Sequence, residues 1–340
     1  MVASIEDVAR RAGVSIATVS RALRGLPDVA TATRDRVLTA AADLNYVASP
    51  FAARLASGRT ATVGLVVPFV NRWFFAEVIS TVEGELRRAG FDLLLYNLGD
   101  IAGRARFFED MPMRKRVDGV IIASLVLEEP EFAALAELNR PVALLGIERD
   151  GLLSAGIDDV AAARAAVEHL LRLGHTRIGL IGGDTDDPMR FTPPLHRRDG
   201  YRDALESAGI TPDPQLEHLG FFTVEGGAAA TAELLSRADP PTAIFAESDE
   251  MAYGALRVLR DRGLRVPEDV AVVGFDDQPL AELMDLSTVR QPVAEQALDV
   301  TTRLLSVVAE TEEELPRPAA VRLPTELVLR GSTEGRTRWP

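Results

Sequence analysis

The sequence predicts a small all-α domain followed by a larger α/β body that contains two doubly wound parallel-sheet sub-domains. Apolar residues between positions 5 and 44 recur with helical spacing, whereas short apolar runs alternate with amphipathic helices from residue 62 onward. Continuously apolar strands are typical of parallel sheets that helices cover on both faces. Because these runs form one set before and another after about residue 160, we expect two sub-domains in the body.

The composition is that of a globular protein and excludes several kinds of site. Apolar residues make up 47% of the 340 residues and charged residues 26%, which argues against a disordered or collagen-like chain. The absence of cysteine excludes disulfides, thiolate zinc sites and cysteine nucleophiles, and the four histidines offer little for a metal site. We therefore predict no cofactor and no bound metal.

The N-terminus and the hydropathy pattern predict a cytoplasmic protein without a membrane span. The first six residues already include the charged Glu6, and no apolar h-region of a secretory signal follows. The chain contains no run of about 18 apolar residues. It also lacks a G-x-G-x-x-G after a strand, a Walker sequence and a G-x-S-x-G elbow, so no enzymatic activity is predicted.

The charge is distributed unevenly along the chain. The net charge is −14, but residues 1–60 contain eight arginines and no lysine against five acidic residues, which gives +3 and leaves −17 for the remainder. A basic head on an acidic body favours nucleic-acid binding by the head. A positive charge of this size can also arise by chance, so it supports nucleic-acid binding only if the head has a DNA-binding fold.

Three helices are predicted in the head. The first has apolar residues at i, i+3, i+4 and i+7 from Ile5 and ends at Gly13. Ser15 can cap the second helix, over residues 16–24, because its hydroxyl accepts a backbone N–H that lacks a partner. A third helix covers residues 32–44. Two short helices joined by a turn that contains glycine indicate a helix-turn-helix.

The second helix presents Ile16, Ala17, Ser20 and Arg21 on its outward face. A helix N-terminus directed at DNA supplies partial positive charge and backbone donors for phosphate. Arg21 is the one long donor on this face and suits guanine or phosphate, whereas Ile16 and Ala17 can contact only groove shape or a thymine methyl group. The alternative is a plain helical hairpin within a bundle, which explains the apolar positions but not the complete motif.

Residues 8–25 read V-A-R-R-A-G-V-S-I-A-T-V-S-R-A-L-R-G. This string resembles the DNA-binding head of the LacI/GalR family of bacterial transcription regulators. The resemblance continues in order through the third helix and the linker AARLASGRT to the body strings TVGLVVP, LGHTRIGLIGG, SDEMAYGAL, VPEDVAVVGFDD and LSTVRQP. It covers essentially the whole chain and implies a helix-turn-helix head, a hinge and a body with a periplasmic-binding-protein-like fold.

The resemblance also implies the domain boundaries. Residues 1–47 would form the DNA-binding domain, residues 48–60 the hinge, and residues 61–340 the effector-binding and dimerisation domain. Within the body, the N-terminal sub-domain would comprise residues 61–160 and 291–321, and the C-terminal one residues 161–290 and 322–340.

The family resemblance assigns DNA contacts to individual residues. Ile16, Ala17 and Arg21 would set operator choice, while other residues of the head would contact the DNA backbone and position the domain. The backbone-contacting residues that it implies are Ser15, Thr18, Ser20, Asn45 and Tyr46.

The hinge would enter the minor groove beside the hinge of a second protomer. The pattern A-x-x-L places an apolar wedge on Leu55 and packs Ala52 against the partner hinge. A segment this short is helical only when DNA and the hinge of the second protomer are both present, so it can couple the body to the head. The alternative for Leu55 is an ordinary buried leucine.

In the body, polar side chains follow the predicted strands at the ends where ligands of open parallel sheets bind. Asp276 follows VAVVGF, Ser248 and Asp249 follow TAIFAE, and Arg197 stands in R-x-x-G-Y. A carboxylate and a guanidinium that face a cleft suit the hydroxyls of a sugar, because each can form two charge-assisted hydrogen bonds. Asp249 could instead cap the helix that follows it.

Three phenylalanines match aromatic residues of the family's ligand site. Phe222 matches the ring that stacks on a ligand face, and Phe74 and Phe75 match a pair at the start of the first body helix, although Phe75 could equally belong to the core. The chain departs from the family pattern at Gly146, where many sugar-responsive members carry an aspartate, and in a long segment over residues 184–194. Both departures leave the identity of the effector open.

The expected function is that of a homodimeric repressor that a small carbohydrate releases from a palindromic double-stranded operator. One alternative is a corepressor-activated regulator that senses a nucleoside or another polar metabolite, because the sequence does not determine whether effector binding weakens or strengthens DNA binding. Another is a cytoplasmic sugar-binding protein. Ligand-dependent DNA binding would separate these functions.

Overall fold

The structure is a computed structural model and describes residues 3–23, 27–46, 60–309 and 320–334. Residue contacts divide the chain into two compact units. The head unit comprises residues 1–61 with 115–118, and the body unit comprises residues 62–114 with 119–340. The boundaries of the hinge and of the two sub-domains stay predictions.

The head unit contains the three predicted helices. They are α1 (Ile5–Ala12), α2 (Ile16–Leu23) and α3 (Thr31–Asp43). Each helix contributes a fully buried valine to the centre of the head, namely Val8, Val19 and Val37. The apolar spacing that predicted the helices is therefore also what forms the core of this unit.

Local side chains set the ends of α1 and α2. Ser4 forms a capping box at the start of α1, and Gly13 ends this helix with a φ of 65°, a left-handed conformation that glycine adopts without strain. The Ser15 hydroxyl accepts the backbone N–H of Thr18 at 3.2 Å, as predicted for a cap of α2. The helical spacing predicts Leu38 on the apolar side of α3 together with Val37, but this side chain is 46% exposed and lies outside the core of the head.

Among the described residues, the first sheet of the body unit has six strands, and all of them are parallel. They are β1 (Thr62–Val67), β2 (Asp92–Asn97), β3 (Gly119–Ala123), β4 (Val142–Leu145), β5 (Leu153–Gly156) and β11 (Ala320–Arg322). Their spatial order is β2-β1-β3-β4-β5-β11. This order confirms the predicted doubly wound sheet.

The second sheet, in the same described part of the chain, repeats this arrangement with one antiparallel edge strand. Its strands are β6 (Ile178–Gly182), β7 (Glu217–Leu219), β8 (Ala243–Ala246), β9 (Ala271–Asp276), β10 (Ser287–Arg290) and β12 (Glu326–Val328). Their order is β7-β6-β8-β9-β10-β12, and β12 runs antiparallel to β10. Seven apolar runs of the sequence predict strands, namely TVGLVVP, DLLLYNL, GVIIASL, PVALLGI, RIGLIGG, TAIFAES and VAVVGFDD, and each of them contains one strand of the two sheets.

Helices accompany both sheets. In the described body they are α4 (Trp73–Arg88), α5 (Ile101–Asp110), α6 (Glu129–Ala136), α7 (Asp159–Arg172), α8 (Pro193–Ser207), α9 (Val224–Leu234), α10 (Asp249–Asp261), α11 (Pro279–Leu283), α12 (Val293–Ala309) and α13 (Gly331–Glu334). A 3₁₀ turn (Pro214–Leu216) precedes β7. None of the helices in the described part is long and apolar enough to cross a bilayer.

The strand order fixes where a ligand can bind. In the first sheet, β2 and β3 lie on opposite sides of β1, and in the second sheet, β7 and β8 lie on opposite sides of β6. Ligands of doubly wound sheets bind at the carboxyl ends of the strands where the order reverses in this way. Within the described residues, the chain passes between the sheets after β5, after β10 and between β11 and β12, so several short connections join the two sub-domains.

Candidate functional site

The first candidate site is the outward face of α2 in the head unit. Ile16 is 47% exposed, Ala17 and Arg21 are also exposed, and Thr18 and Ser20 are partly buried. The structure therefore places these five predicted residues along a single short helix. This helix presents its N-terminus, with Ser15 as the cap, and one long cationic side chain at the surface.

Arg21 forms only a weak ion pair inside the head. Its Nε lies 3.6 Å from a carboxylate oxygen of Asp28, and both side chains are about half exposed. An exposed pair of this kind contributes little to stability. A DNA phosphate or a guanine can therefore replace Asp28 at little cost in free energy.

Asn45 and Tyr46 lie where α3 ends. Asn45 has a φ of 47°, in the left-handed region that asparagine tolerates better than most residues. The Tyr46 N–H donates to the Ala41 carbonyl at 2.8 Å, and the ring packs against the core of the head, so Tyr46 also has a structural role. Ala52 and Leu55 lie outside the described residues, and the hinge helix with its wedge stays a prediction.

The second candidate site is a cleft of about 530 Å³, including its open mouth, between the two sheets of the body unit. Its walls come from the carboxyl ends of strands, because Ser124 follows β3, Gly146 follows β4 and Asp276 ends β9. Six of the seven predicted effector residues line this cleft, namely Phe74, Phe75, Arg197, Phe222, Ser248 and Asp276.

Asp249 is not among the residues that line the cleft. It is fully buried, and its carboxylate accepts the hydroxyl of Thr288 at 2.6 Å and the backbone N–H of Gln278 at 2.8 Å. Burial and the nearby charge of Asp276 raise its pKa well above the usual range. The predicted alternative, a helix cap, belongs to the preceding residue, because the Ser248 hydroxyl accepts the Met251 N–H at the start of α10. These contacts give Asp249 a structural role in joining β10 to the segment after β9.

Arg197 is held rigidly beneath the cleft. Its side chain is about 5% exposed, and Nε donates to the Asp159 carboxylate at 2.8 Å while Nη1 donates to the Glu247 carbonyl at 2.5 Å. The guanidinium carbon lies 3.6 Å from the centre of the Phe275 ring, and Nη1 lies 3.9 Å from Asp276 Oδ1. The structure therefore brings Arg197, from the helix α8, together with Asp276, at the end of β9.

Asp276 is oriented by two amides and by a strained backbone. Gln291 Nε2 donates to Oδ1 at 2.5 Å, and Gln278 Nε2 lies 3.4 Å from Oδ2. The φ of Asp276 is 123°, which side-chain-bearing residues rarely adopt and which surrounding contacts must maintain. Strain of this kind is commonly stored at binding sites, and here it fixes a carboxylate at the wall of the cleft.

Burial changes the protonation of two carboxyl groups at this end of the cleft. It raises the pKa of Asp276 to about 7, although Arg197 and Gln291 favour the ionised form. It also raises the pKa of Glu247 to about 8, although the Gly183 N–H donates to this carboxylate at 2.9 Å. Both carboxyl groups therefore titrate in a pH range in which ordinary carboxyl groups are already fully ionised.

An aromatic wall with a cation at its centre forms another side of the cleft. The Arg72 guanidinium carbon lies 4.1 Å from the ring centre of Phe69, 5.3 Å from that of Phe222 and 5.7 Å from that of Phe191. Phe191 also contacts Phe75, with 6.0 Å between the ring centres. A sugar ring can pack its C–H face on such a wall, and the cation strengthens the wall through cation–π attraction.

Sequence reasoning missed several residues that line the cleft. Three of them had a local signal, because Arg72 lies two residues before Phe74, Glu250 lies in the string SDEMAYGAL and Gln291 lies in the string LSTVRQP. Phe191 lies inside the long segment that already departed from the family pattern. Nothing in the sequence pointed to Ser124, Asp159 or Gln296.

Residues 184–192, here called the strap, run from β6 to α8 and cross to the first-sheet sub-domain. The buried Arg104 of α5 donates through Nη1 to the Met189 carbonyl and forms a two-fold hydrogen bond to Glu131, with both distances at 2.7 Å. Arg190 of the strap forms an ion pair with Glu128 at 2.6 Å. The strap therefore joins the two sub-domains and holds Phe191 in the cleft.

Removing the Arg104 anchor is expected to release the strap. The double variant Arg104→Met/Glu131→Gln removes the donor to Met189 without leaving a buried carboxylate unpaired. We expect backbone amide hydrogen exchange over residues 189–192 to rise by at least about tenfold, because the local opening becomes easier. The matched control Arg114→Met/Glu137→Gln removes an exposed pair, and exchange in the strap should not change. Equal exchange rates in both double variants would show that Arg104 does not anchor the strap.

An exposed helix-turn-helix face and a ligand cleft between two parallel-sheet sub-domains define a class of protein, the DNA-binding transcription regulators with a ligand-binding body. Comparison with known families agrees with this class. The family described as bacterial regulatory proteins, lacI family, matches residues 4–49, and the periplasmic binding protein-like domain matches residues 167–333.

Individual relatives match over nearly the full length. The HTH-type transcriptional repressor CytR of Escherichia coli K12 is 34% identical over 337 residues, which are 97% of this chain and 96% of that protein. A solved complex of the transcriptional regulator CelR with cellobiose is 35% identical, with a TM-score of 0.70 over 97% of this chain and 99% of that chain. The lac repressor dimer bound to operator and the anti-inducer ONPF is 26% identical, with a TM-score of 0.85 over 98% and 99% of the two chains.

The chain belongs to the lacI family of bacterial regulatory proteins. This membership confirms the predicted fold class, a helix-turn-helix head with a periplasmic-binding-protein-like body, and the predicted function as a DNA-binding transcription regulator. The family consists of transcription regulators rather than enzymes.

Proposed function

We propose that this chain is a homodimeric repressor whose two heads bind the half-sites of a palindromic operator and whose cleft binds a small polar carbohydrate that controls this binding. The observation that carries the proposal is the buried Arg197–Asp276 arrangement, which faces the cleft beside an aromatic wall. With this function the protein would act in the cytoplasm and associate with the nucleoid when it is bound to DNA. Two similar proteins, the cellobiose complex of CelR and the operator complex of the lac repressor dimer, support the two halves of the proposal.

The head would read the operator through α2. Arg21 would bind a guanine or a phosphate, and Ile16 and Ala17 would contact the groove floor or a thymine methyl group. Ser15, Thr18, Ser20, Asn45 and Tyr46 would contact the DNA backbone and fix the register of the head. Ala52 and Leu55 would complete the interface by pairing the hinges and opening the central base step.

The cleft would bind hydroxyl groups at one end and a ring face at the other. Asp276 accepts hydrogen bonds from hydroxyls, and Arg197 and Gln291 hold its carboxylate in position. The ring-stacking surface consists of Phe74, Phe75 and Phe222. Ser248, two residues after β8, lines the same cleft. Because the effector touches both sub-domains, its binding can change their relative angle and alter the spacing of the hinges.

The proposal predicts that a substitution of Asp276 separates DNA binding from the effector response. We expect Asp276→Asn to leave operator affinity unchanged and to weaken effector binding roughly 10- to 100-fold, because a charge-assisted hydrogen bond is lost. The operator is first selected from random duplexes with the full chain, and effectors are found by a thermal-shift screen with neutral sugars, sugar phosphates, sugar acids and nucleosides. Fluorescence anisotropy with the selected duplex then gives the effector response and its sign.

Asp261→Asn is the matched control, because Asp261 is an exposed aspartate at the end of α10, remote from the cleft lining. A normal effector response in Asp276→Asn would refute the assignment of the cleft. Weaker operator binding on effector addition indicates an inducer, and stronger binding indicates the corepressor alternative. Operator binding that no compound alters would refute the proposed control by a carbohydrate.

A further inference from the structure

We infer that the effector carries an anionic group, a phosphate ester or a carboxylate, and that this group binds on the donor wall of the cleft. The donor wall consists of Arg72, the first turn of α4 (residues 73–75) and Gln296 of α12, which all belong to the first-sheet side of the cleft. The inference rests on the proposed function, because it specifies the chemical class of ligand for the same cleft.

Arg72 is a cation without a close ion pair: burial lowers its pKa, and the more distant charges of Asp187 and Glu250 oppose this shift. It is partly buried against three aromatic rings, and no carboxylate of the described residues lies within 4.0 Å of its guanidinium. Arg104 and Arg197, the two arginines buried deepest in this body, each form a close ion pair, at 2.7 Å and 2.8 Å. A guanidinium that is partly shielded from water without a carboxylate in direct contact is costly, so its position at the cleft suits an incoming anion.

The N-terminus of α4 adds unsatisfied donors beside this cation. The helix has 16 residues, its first turn holds no acidic residue, and Arg72 at the N-cap position forms no side-chain cap. The Trp73 N–H makes only a long contact, 3.5 Å, to Glu250 Oε1. A helix N-terminus with free N–H groups attracts negative charge, and Phe74 and Phe75 place this turn in the cleft lining.

Gln296 supplies an independent observation on the same wall. Its side chain is 1% exposed and lines the cleft, and Nε2 has no hydrogen-bond partner among the described residues. An amide nitrogen can only donate, so the missing partner is an acceptor atom. Buried polar groups are almost always satisfied, which indicates that the acceptor belongs to a ligand.

The opposite wall has the complementary chemistry. Asp276 and Glu250, from the second-sheet side, present carboxylates that accept hydrogen bonds from hydroxyl groups. A ligand that matches both walls has acceptor oxygens at one end and hydroxyl donors at the other, which describes a phosphorylated or an acidic sugar. Glu250 is the protein's own carboxylate closest to the Trp73 N–H, so it competes with the ligand anion for this position.

The first test compares matched sugars on the full chain. Each set contains an aldose, its phosphate ester and the corresponding aldonic acid, and inorganic phosphate alone serves as a further probe, all at equal ionic strength. We expect one anionic member to bind at least about tenfold more tightly than its neutral parent in calorimetric titration. A preference for the ester identifies a phosphate, and a preference for the aldonic acid identifies a carboxylate.

The second test assigns this preference to the donor wall. Arg72→Gln should reduce the affinity for the anionic sugar to that for the neutral parent, Gln296→Leu should reduce it in part, and Glu250→Gln should increase it. Arg87→Gln removes an exposed arginine at the far end of the same helix and should change nothing.

Three results would overturn the inference. A neutral sugar that binds as tightly as its anionic derivatives, with no effect of Arg72→Gln, leaves the proposed carbohydrate control intact but refutes the anionic group. Inorganic phosphate that binds as tightly as the sugar phosphate refutes a ligand that uses both walls. If no sugar binds while operator binding is intact, the anionic group and the carbohydrate effector both fail.

Discussion

Replacing Arg197 by alanine is expected to lower the free energy of unfolding of the body by about 3–5 kcal/mol, because it leaves a group of buried carboxylates without their cation. Arg197 pairs with Asp159 at 2.8 Å and lies 3.9 Å from Asp276, and all three side chains are about 10% exposed or less. The substitution also removes the hydrogen-bond donor to the Glu247 carbonyl and the stacking of the guanidinium on Phe275. Urea unfolding of the full chain, followed by tryptophan fluorescence, measures this change.

Arg202→Ala provides the matched control on the same helix. Arg202 also forms a two-fold hydrogen bond to a carboxylate, that of Glu217, at 2.9 Å and 2.7 Å, but its side chain is 36% exposed. Solvent screens such a pair, so we expect a loss of about 1 kcal/mol or less. If Arg197→Ala and Arg202→Ala reduce stability equally, burial does not determine the contribution of the Arg197 cluster.

The second large expected effect is a loss of stability with rising pH in the body. Burial raises the pKa of Glu247 from an ordinary value near 4.5 to about 8, so the folded state retains a proton that the unfolded chain has already released. The stabilisation from this proton is fully present below the unfolded pKa and is lost as the pH rises through 8. Between these values the free energy of unfolding should fall by up to about 1.4 kcal/mol per pH unit for this one group.

Glu247→Gln should make this pH dependence shallower. The amide oxygen can still accept the Gly183 N–H, but the residue no longer ionises. Asp276, with its pKa raised to about 7, should maintain a remaining slope in the same direction. Urea unfolding at several pH values between about 5 and 8.5 measures both slopes. Glu206→Gln, at an exposed position on α8, should follow the unchanged protein, and a Glu247→Gln curve that does so as well would contradict the prediction.

The carboxyl groups around Arg197 connect ligand binding with the packing beneath the cleft. Asp276 is proposed to bind hydroxyls as a carboxylate, yet its pKa lies near neutrality. Arg197 pairs with Asp159, and its charge also acts on the carboxyl groups of Glu247 and Asp276. Ligand contacts at the cleft and the stability of the second-sheet sub-domain therefore depend on one shared set of charges. A ligand that contacts Asp276 can thereby change the packing beneath the cleft as well as the angle between the sub-domains.

The strands that the sequence predicted and those it missed differ mainly in composition. Predicted runs such as TVGLVVP are rich in apolar residues, and their strands include the four-residue β4 and β8 and the edge strand β2. The strands β5, β10, β11 and β12 have three or four residues and include polar side chains, so their identity depends on pairing with a neighbour that is distant in sequence. Some predicted runs also extend past the strand: GVIIASL ends at Leu125, beyond β3, because a residue can be buried without belonging to the ladder.

The candidate site shows the same division. Asp276 could be predicted because the ends of parallel strands converge, whereas Arg197, on α8, was singled out by the string R-x-x-G-Y. Asp249 could not be separated from Ser248, since neighbouring residues point in different directions at the start of α10: one caps the helix and the other lies behind the wall of the cleft. Gln296 could not be predicted at all, because its position on a helix says nothing about which cavity that helix borders.

The sequence by itself determined the helix-turn-helix head, the alternation of strands and helices, and the family, because each of these is written in local spacing or in the order of short motifs. Only the tertiary structure decided which side chains share the cleft, which arginines have a counter-ion and which carboxyl groups keep a proton. Those properties depend on burial and on contacts between residues more than a hundred positions apart, such as Arg72 with Phe191 and Phe222. They arise only when the two sheets close around a common space, where charge separated from water requires a partner.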